Sequence, residues 1–532
     1  MSLDTALAQS WDVLVVGGGM GGSAVTRQLA RKGLSVLVLE QGQQAFAESA
    51  DINKDETDPD QRMKIGRFPA PLTGTIDGTT RDFYAPLGAG VGGSSLLYAA
   101  ALDRFQPRDF ERRTHPGDPG GRLGWPVGYG EIEPYYQEAE AALSVTGTPD
   151  PLNPEMNYRL ASPDPMNARD TWISAAFEKA GLHPYRLHVG IENRKGCDWC
   201  LARVCLSGCK RHGGNAFMDP ALQSGRVAVL AGVTVDRVLA DRARVGGVAV
   251  RAGPRKAELT ARAVVLAAGA YFTPVLMLKS ASEHWPNGLA NAHDQVGRNL
   301  MIHFGIRFAV FARRNLSLEG HRKALGFRDF YNHPDGPFGE VQSTGGEATA
   351  ANVLYALRQR IDETPLRHIP MIRHLLRGPA ALAPLLFGNA AIMSAMMEDF
   401  PYEDNRVVLD PDTPSGMRFH YRMDDEAQAR GTAYVKLLKA RLRGHARIQV
   451  LSARPNLNFG HPCGTCRAGD DPARSVVDRD GRTHGLENLY VADAAFLPTS
   501  GGTNPSLTIA ANALRIGDRI AAHLNLSEEV VA

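Results

Sequence analysis

Several features that mark other classes of protein are missing from this sequence. No apolar run approaches the roughly 20 residues that cross a membrane, so no transmembrane segment is expected. The first ten residues hold neither a basic start nor an apolar stretch, which argues against a secretory signal. The simplest prediction is a cytoplasmic protein, and export together with a signal-bearing partner stays open.

The charge is nearly balanced and the composition is ordinary. A net charge of +2 gives no indication of nucleic-acid binding. Hydrophobic residues make up 43% of the chain and charged residues 22%, as is usual in globular proteins. Because 532 residues are too many for one simple core, we expect about two to four domains.

A glycine-rich turn near the N-terminus is typical of dinucleotide binding. Gly17-x-Gly19-x-x-Gly22 lies between a predicted strand and a predicted helix, and Glu40 ends the next predicted strand. Gly17 permits the tight turn, Gly19 lets the backbone approach a pyrophosphate, and Gly22 lets helix and strand pack closely. The acid is placed to bond a ribose hydroxyl. The pattern by itself does not separate FAD from NAD.

Two segments near the C-terminus look like one active site. One is His461-Pro-Cys-Gly-Thr465, and the other contains Asn504 followed by Pro505. A neutral imidazole can take a hydroxyl proton while a hydride leaves the adjacent carbon, and an amide can donate a hydrogen bond to the developing alkoxide. His461 and Asn504 are therefore predicted to be a catalytic pair. The alternatives are a structural histidine and a turn asparagine ahead of proline.

Four of the six cysteines form a cluster. Cys197, Cys200, Cys205 and Cys209 have the spacing C-x2-C-x4-C-x3-C. Thiolates this close together can hold an iron–sulfur cluster or zinc. The alternatives are disulfides or reduced buried thiols. The basic residues at 210–212 are expected to form a solvated turn.

The other two cysteines lie in the predicted active-site segment. Cys463 and Cys466 follow His461 within five residues. We expect both to pack as small buried side chains beside the site. The alternative is a redox pair.

Together these motifs resemble the glucose–methanol–choline (GMC) oxidoreductase family. The resemblance extends from about residue 12 to about residue 518. Besides the N-terminal turn and the catalytic pair, it is carried by several internal stretches. These are Gly88-Ala-Gly-Val-Gly-Gly93-Ser94-Ser95, Gly124-Trp-Pro126, Pro134-Tyr-Tyr136, Gly269-Ala-Tyr-Phe-Thr273-Pro274, Val296-Gly-Arg-Asn-Leu300 with His303, and Leu489-Tyr-Val-Ala-Asp493.

The resemblance implies a mixed α/β fold. A Rossmann-like FAD-binding domain is expected to interleave with a substrate domain made of a sheet and covering helices. The expected FAD-binding part is 1–310, with substrate-side excursions and the cysteine-rich segment 197–209. A mainly substrate-binding part is expected at 311–450. The C-terminal part, 451–532, would return to the FAD domain and carry the catalytic pair.

The resemblance also implies which residues hold the cofactor. FAD is expected to be noncovalent, because the histidine that attaches it in some family members is absent after Ser95. Tyr98 stands where the family often has asparagine, which puts the flavin-ring contacts there in doubt. The implied cofactor residues are Gly17, Gly19, Gly22 and Glu40 at the ADP half, Val235 at the adenine, Gly88, Gly92, Gly93, Ser94 and Ser95 on the flavin side, Asp493 at the ribityl-pyrophosphate region, and Ala268, Asn504 and Pro505. For Asp493 alone, a helix N-cap or a turn residue is the alternative.

The predicted reaction is FAD-dependent oxidation of a CH–OH group in a sugar, polyol or other alcohol, with His461 as base. Residues 200–209 resemble a region found in bacterial FAD-dependent sugar dehydrogenases of this family. In those enzymes the region carries an iron–sulfur cluster, which passes electrons from the flavin to a cytochrome. A non-oxygen acceptor and an electron-acceptor protein or small subunit are therefore expected. The alternatives are an oxidase that releases hydrogen peroxide, a lyase or decarboxylase on the same fold, and a noncatalytic electron-relay subunit.

Two segments are harder to interpret. Residues 51–82 are polar and rich in turn residues, so an irregular excursion is expected. Residues 365–395 mix arginine with leucine, proline and alanine, and a helical pair packed on the substrate domain is expected. The alternatives for this segment are an amphipathic lid, a partner-binding face and a membrane-surface patch.

Overall fold

The computed structural model describes residues 1–44, 46, 58–116, 118, 120, 124–192, 194, 201–320, 322–346, 349, 350, 353, 354, 357, 361, 366, 369, 371–452 and 455–529. The α-helices named within these residues are α1 (Leu3–Leu7), α2 (Met20–Arg31), α3 (Pro59–Lys64), α4 (Tyr129–Ala142), α5 (Ala168–Lys179), α6 (Asp219–Leu222), α7 (Gly269–Lys279), α8 (Ile372–Leu375), α9 (Arg377–Phe387), α10 (Asp425–Leu442) and α11 (Ser506–Glu529). The strands are β1 (Trp11–Val16), β2 (Val36–Glu40), β3 (Leu72–Ile76), β4 (Thr79–Phe83), β5 (Tyr185–Arg186), β6 (Val227–Ala231), β7 (Thr234–Ala240), β8 (Val245–Ala252), β9 (Arg255–Leu266), β10 (Met301–Phe311), β11 (Leu325–Phe327), β12 (Val341–Ser343), β13 (Ala390–Met397), β14 (Arg406–Leu409), β15 (Met417–Tyr421), β16 (Arg447–Val450), β17 (Asn456–Cys463) and β18 (Leu489–Val491). Short 3-10 helices lie at Gly93–Leu96, Pro107–Phe110 and Ala494–Phe496, and a π-helix at Gly214–Met218.

The first sheet carries the N-terminal glycine turn. Its strand order is β6-β2-β1-β9-β8-β7, and β18 also pairs with β9. Strands β6, β2, β1, β9 and β18 are parallel to one another. β1 and β2 are rich in valine and leucine because strands of a parallel sheet are covered on both faces. The helix α2 packs against these strands and against α11, which gives the expected Rossmann-like arrangement.

The second sheet is antiparallel and is built around β10. Its order is β16-β10-β13-β12-β11-β5, and β17 pairs with β10 beside β16. The helix α10 buries Tyr434, Leu438 and Leu442 in the core of this sheet. The ring of Tyr434 stacks on Phe338 with centroids 4.8 Å apart. This sheet and its helix form the expected second layer, and β10 and β17 carry part of the candidate site.

A third, four-stranded sheet corrects one expectation. The described part of segment 51–82 is not irregular, because it contains α3 and the hairpin of β3 and β4, and β3 pairs in parallel with β15. Asp77 and Gly78, with φ values of 47° and 79°, form the two-residue turn of this hairpin. Asp-Gly between two strands strongly favours a hairpin, so the dipeptide at 77–78 would have been enough to predict this one from the sequence. Residues 51–57 lie outside the described residues.

The two larger sheets draw on interleaved stretches of the chain. The first takes its strands from 11–266 and from β18. The second takes β5, at 185–186, together with strands from 301–463. The expected mixed α/β fold is confirmed. The finer division at residues 310 and 450 stays a prediction.

Part of the segment 365–395 forms two consecutive helices, α8 and α9, that lead into β13. Ala380 and Ala383 are buried, and Phe387 stacks on Phe311 with ring centroids 5.8 Å apart. Leu385, by contrast, is 83% exposed. None of the described helices combines the length and the apolar character that crossing a membrane requires. The lid, the partner-binding face and the membrane-surface patch stay predictions.

A fully buried ion pair joins α4 to the segment that precedes the 3-10 helix Pro107–Phe110. Nε and Nη2 of Arg104 donate to the two carboxylate oxygens of Glu140 at 2.6 and 2.7 Å. Both side chains are 0% exposed. The carbonyl oxygen of Arg104 also accepts a hydrogen bond from Nη2 of Arg328, which is buried as well. Removing one partner would leave the other charge buried and unpaired.

We expect Arg104→Met to lower the free energy of unfolding by about 3–5 kcal/mol, because the Glu140 carboxylate loses its partner in the interior. Arg112→Met is the matched control, since Arg112 and Asp470 are also 2.6 Å apart but 57% and 61% exposed. The control should change the free energy of unfolding by less than about 1 kcal/mol. Urea unfolding followed by tryptophan fluorescence measures both variants, and equal losses would contradict this account.

Candidate active site

The N-terminal glycine turn depends on close packing against β9. Gly17 has a φ of 103°, and a Cβ at this position would lie 2.5 Å from the carbonyl oxygen of Ala267. A Cβ at Gly22 would lie 1.9 Å from the carbonyl oxygen of Gly17. Both positions therefore require glycine if α2 is to approach the strands this closely.

The start of α2 offers backbone donors to an anion. Gly19 is the N-cap residue, no side chain caps the helix, and its first turn contains no acidic residue. The free N–H groups and the helix dipole at such an end favour a phosphate group. The nearest atom that a Cβ at Gly19 would meet is the Cα of Gly93, at 3.9 Å. This set of donors fits the pyrophosphate of a dinucleotide.

Glu40 ties the turn to the second glycine cluster. Its carboxylate accepts hydrogen bonds from the backbone N–H groups of Gly18 and Gly42 at 2.8 Å and of Gly90 at 3.1 Å. Each carboxylate oxygen has two lone pairs, so these three bonds leave an acceptor for a ribose hydroxyl. Glu40 lies at the carboxyl end of β2, the edge where open α/β sheets bind ligands.

The second glycine cluster, Gly88 to Ser95, packs on the N-terminal glycine turn and on Gly213, for which the sequence predicted no role. The N–H of Gly92 donates to the carbonyl of Gly18 at 2.7 Å. Ser95 Oγ donates to the carbonyl of Gly92 at 2.5 Å and accepts from the N–H of Gly213 at 3.0 Å. A Cβ at Gly213 would lie 3.0 Å from a carbonyl oxygen of the turn. In the sequence, only the adjacent pair Gly213-Gly214 indicates that the backbone here approaches the N-terminal turn closely.

The basic residues after the cysteines are not all in a solvated turn. Lys210 is 1% exposed, and its Nζ donates to the carbonyl oxygens of Tyr98 at 3.2 Å and Arg203 at 2.8 Å. Burial, helped by the nearby charges of Lys210 and Arg211, lowers the pKa of His212 to about 4. The expectation of a solvated turn is therefore wrong at Lys210, where backbone carbonyls replace water around the ammonium group.

Asp493 caps two helices. Its Oδ2 accepts from the N–H of Gly269 at 2.8 Å and from the hydroxyl of Thr273 at 2.6 Å, at the start of α7. Its Oδ1 accepts from the N–H of Ala495 at 2.7 Å, in the following 3-10 helix. Burial raises the pKa of Asp493, and these donors lower it. The structure thus shows the helix-capping role, and contact with a ribityl chain stays a prediction.

Two further predicted cofactor residues lie near the same edge of the first sheet. A Cβ at Gly17 would lie 3.1 Å from the backbone nitrogen of Ala268. Val235 is in β7, and two residues before it the N–H of Val233 donates to the carbonyl of Glu40 at 3.1 Å. The glycine turn, Glu40, Val235 and Ala268 are therefore gathered at one edge.

An irregular pairing of β10 with β17 places His461. The register shifts between Ile302 and Phe304 of β10. Residues 458–461 of β17 therefore bulge out opposite His303. The rings of His303 and His461 are perpendicular, with centroids 5.3 Å apart and Nδ1 atoms 3.2 Å apart. Bulges of this kind re-aim side chains beside active sites.

Asn504 reaches His461 through the loop that precedes α11. The N–H of Gly502 donates to the hydroxyl of Tyr331 at 2.8 Å, which holds the loop in place. Nδ2 of Asn504 lies 3.3 Å from Nε2 of His461. The structure therefore brings together the two predicted catalytic residues, although 43 positions separate them in the sequence.

The hydrogen bonds determine which imidazole nitrogens carry protons. Nε2 of His303 lies 2.8 Å from the carbonyl oxygen of Gly501, which can only accept, so this nitrogen is protonated. Nδ1 of His303 is then an acceptor, and Nδ1–H of His461 donates to it. Nε2 of His461 therefore keeps its lone pair, which faces the amide of Asn504 at 3.3 Å. Nδ2 of Asn458 lies beside the same ring, 3.2 Å from Nδ1 and 3.4 Å from Nε2. A lone pair at this nitrogen is what a general base requires.

The surroundings of His461 keep it neutral. Burial lowers its pKa well below the usual value, and the neighbouring His303 and Lys323 lower it further. Burial also lowers the pKa of His303. Both rings are therefore neutral near pH 7, which agrees with the proton positions required by the hydrogen bonds.

Two residues that the sequence did not predict extend this arrangement. Nε2 of Gln342 donates to Oδ1 of Asn504 at 2.6 Å, and Nζ of Lys323 donates to Oε1 of Gln342 at 3.0 Å. Lys323 is 3% exposed and Gln342 2%. Burial lowers the pKa of Lys323 to about 8, while Glu340 and Asp103 oppose that shift.

The C-terminal cysteines lie in the interior of the protein. Cys463 and Cys466 are buried and carry free thiols. Burial raises the pKa of each thiol well above its usual value. Sγ of Cys466 lies 3.7 Å from Sδ of Met277, a packing contact. Both cysteines therefore pack as small buried side chains.

Two of the four clustered cysteines fall within the described residues. Cys205 and Cys209 are buried, with sulfur atoms 3.5 and 3.2 Å from Oγ of Ser207. Cys197 and Cys200 lie outside the described residues. Among the residues that the structure does describe, no three histidine, cysteine or acidic side chains are grouped as metal ligands would be. Metal ligation by the four cysteines stays a prediction.

Sequence comparison finds relatives over nearly the whole chain. Paromamine 6'-oxidase of Streptomyces fradiae is 29% identical, over 97% of this chain and 92% of its own length. The 2-methyl-1,2-propanediol dehydrogenase of Mycolicibacterium austroafricanum is 28% identical, over 97% and 96%. The fructose dehydrogenase large subunit of Gluconobacter japonicus is 26% identical, over 96% and 98%.

Solved structures share the fold. Pyridoxine 4-oxidase from "Mesorbium loti" superposes with a TM-score of 0.62 at 19% identity, covering 96% of this chain and 99% of that one. Formate oxidase of Aspergillus oryzae gives 0.66 at 15% identity, covering 98% and 99%. The N-terminal family model for GMC oxidoreductases matches residues 11–305, and the C-terminal model matches 401–513. The chain therefore belongs to the GMC oxidoreductase family.

Proposed function

We propose that the chain is an FAD-dependent enzyme that oxidises a CH–OH group, with His461 as the base that takes the hydroxyl proton. The observation that supports this most strongly is the pair of contacts that the His461 ring makes, Nδ1 with Nδ1 of His303 at 3.2 Å and Nε2 with the amide of Asn504 at 3.3 Å, from which we infer a lone pair on Nε2. When bound, FAD supplies the acceptor for the hydride that leaves the same carbon.

The proposed step uses Nε2 of His461 and Nδ2 of Asn504 together. Their 3.3 Å separation is long for a hydrogen bond, so a substrate hydroxyl can replace it. The hydroxyl would donate to Nε2 and accept from the Asn504 amide. As the C–H bond breaks and its electron pair leaves with the hydrogen, the O–H proton moves to Nε2 and the C–O bond becomes a carbonyl. His303 Nδ1 accepts from the resulting imidazolium.

The residues proposed to hold FAD follow from the cradle at the edge of the first sheet. The uncapped start of α2 would bind the pyrophosphate, and Glu40 the ribose. The remaining proposed contacts are those of Gly17, Gly19, Gly22, Val235, Ala268, Gly88, Gly92, Gly93, Ser94, Ser95, Asp493, Asn504 and Pro505. The FAD is proposed to be noncovalent.

A carbohydrate or polyol is the proposed substrate class. The names of three relatives refer to paromamine, 2-methyl-1,2-propanediol and fructose. We propose a dehydrogenase that passes electrons to a non-oxygen acceptor, because the four-cysteine segment suits electron transfer. An oxidase is the second candidate, and it is favoured by the relatives named as oxidases. The presence of both His461 and Asn504 argues against a lyase or decarboxylase.

The choice of acceptor can be measured directly. Holoenzyme purified without air is expected to reduce 2,6-dichlorophenolindophenol when it is given at least one of paromamine, D-fructose and 2-methyl-1,2-propanediol. The reaction should take up no oxygen, and the protein should contain iron. Oxygen uptake with an equal yield of hydrogen peroxide, in protein free of iron, would place the oxidase first. Turnover of none of the three alcohols with either acceptor would contradict the proposed substrate class.

His461→Ala is expected to lower kcat by about 10²–10⁴-fold, because the hydroxyl proton loses its acceptor. The variant should keep its full FAD content, since His461 is proposed to act on the substrate. His293→Ala, at an exposed histidine, is the control and should keep wild-type kcat. Steady-state kinetics with the best substrate measures both, and unchanged kcat in His461→Ala would remove the proposed base.

The proposed base also predicts a pH dependence. Activity requires neutral His461, and the pKa of this residue is lowered well below 6.5, mainly by burial. Activity should therefore persist as pH falls from 8 to 6.5 and decline only at lower pH, as the imidazole becomes protonated. The pH profile of kcat/KM measures this, and an acidic midpoint above 6.5 would contradict the assigned environment.

A further inference from the structure

A continuous line of hydrogen bonds runs from a buried lysine to the proposed base. Nζ of Lys323 donates to Oε1 of Gln342 at 3.0 Å, and Nε2 of Gln342 donates to Oδ1 of Asn504 at 2.6 Å. Nδ2 of Asn504 then faces Nε2 of His461 at 3.3 Å. Every link in this line points the same way, from donor to acceptor.

We propose that Lys323 is a positioning residue which, through Gln342, turns the N–H side of the Asn504 amide toward His461. This inference rests on the proposed function, because it explains how the catalytic amide comes to be a donor.

The direction follows from the chemistry of the three groups. An ammonium group can only donate, so it selects the oxygen end of the Gln342 amide. The amide nitrogen of Gln342 then faces Asn504 and donates to the oxygen of the Asn504 amide. Asn504 is left with its N–H groups for His461 and for a substrate oxygen. If both amides were reversed, the Asn504 oxygen would face the lone pair of His461, and two acceptors would oppose each other.

The first two residues of the line belong to the second sheet or lie just before one of its strands. Lys323 lies two residues before β11, and Gln342 is the central residue of β12. Gln342 is opposite Gly326 on one side and Ser394 on the other, so a strand flanks it at each edge. The hydrogen-bond line therefore reaches the active site from the sheet and not from a surface loop.

Charges around Lys323 allow it to be buried. The ammonium lies in the field of Glu340 and Asp103, which raise its pKa against the effect of burial. Arg328 bridges the same two carboxylates, at 3.1 and 3.5 Å. Glu340 also accepts from the hydroxyl of Thr503 at 2.6 Å and so holds the loop beside Asn504. A merely charge-balancing lysine is the competing explanation, and it assigns no role to Gln342.

Gln342→Glu separates the two explanations. The introduced carboxylate keeps the shape of the side chain and still accepts from Lys323, but it can no longer donate to Asn504. The Asn504 amide must then reverse. We expect kcat to fall by about 10- to 100-fold with little change in KM, because the donor is turned away from the reacting oxygen. FAD content and the thermal midpoint should stay at wild-type values, since the variant gains an ion pair with Lys323.

Gln449→Glu is the matched control. It adds the same charge at an exposed position of β16 in the same sheet and should leave kcat unchanged. A double-mutant cycle then tests the route: in an Asn504→Ala background, Gln342→Glu should cause no further fall in kcat. Lys323→Met should lower kcat in the wild-type background and likewise add nothing in the Asn504→Ala background. All are assayed as holoenzyme, with the best of the three alcohols and 2,6-dichlorophenolindophenol.

Some results would overturn the inference while leaving the proposed function intact. If His461→Ala lowers kcat but Gln342→Glu stays within about twofold of wild type, the line does not direct Asn504. A fall in kcat that persists in the Asn504→Ala background would show that Gln342 acts by another route. If His461→Ala itself has no effect, the proposed function fails first, so the two failures are distinguishable.

Discussion

The active site depends on one loop, residues 499–504, whose successive residues bond to different parts of the chain. The partners, in order, are Trp125, Asp399, His303, Tyr331, Glu340 and Gln342. Two of these partners, His303 and Gln342, lie in the second sheet, while the loop itself follows β18 of the first sheet and continues into α11. Because every residue of the loop is held, Asn504 has a fixed position against His461, and the carbonyl of Gly501 has one against His303.

Proton positions at the site are a consequence of that loop. The Gly501 carbonyl places the proton of His303 on Nε2, His303 in turn places the proton of His461 on Nδ1, and the lone pair of His461 is left facing Asn504. The second sheet supplies the opposite side through Gln342 and Lys323. The proposed acid–base chemistry at His461 is thus linked to the antiparallel sheet, whereas the donors proposed to hold the dinucleotide lie at the edge of the parallel sheet.

The features that the sequence predicted are those with local or recurring patterns. The glycine turn and Glu40 follow from the strand–turn–helix pattern, and His461 and Asn504 from the family motifs. His303 was noted only as part of a recurring stretch, because its role depends on a register shift between two strands 158 positions apart. Lys323 and Gln342 gave no signal, since nothing local distinguishes a buried lysine or a glutamine in a short strand from their exposed counterparts. Lys210 was predicted to be solvated for the same reason.

The central claim is that one substrate oxygen is held between Nε2 of His461 and the N–H of Asn504. The most direct test is a neutron or high-resolution X-ray structure of the FAD-loaded protein with a bound, nonreacting alcohol. The account predicts the alcohol oxygen at about 2.6–3.2 Å from both nitrogen atoms, with the Asn504 oxygen facing Gln342. An alcohol oxygen bound elsewhere, or an Asn504 oxygen facing His461, would contradict it.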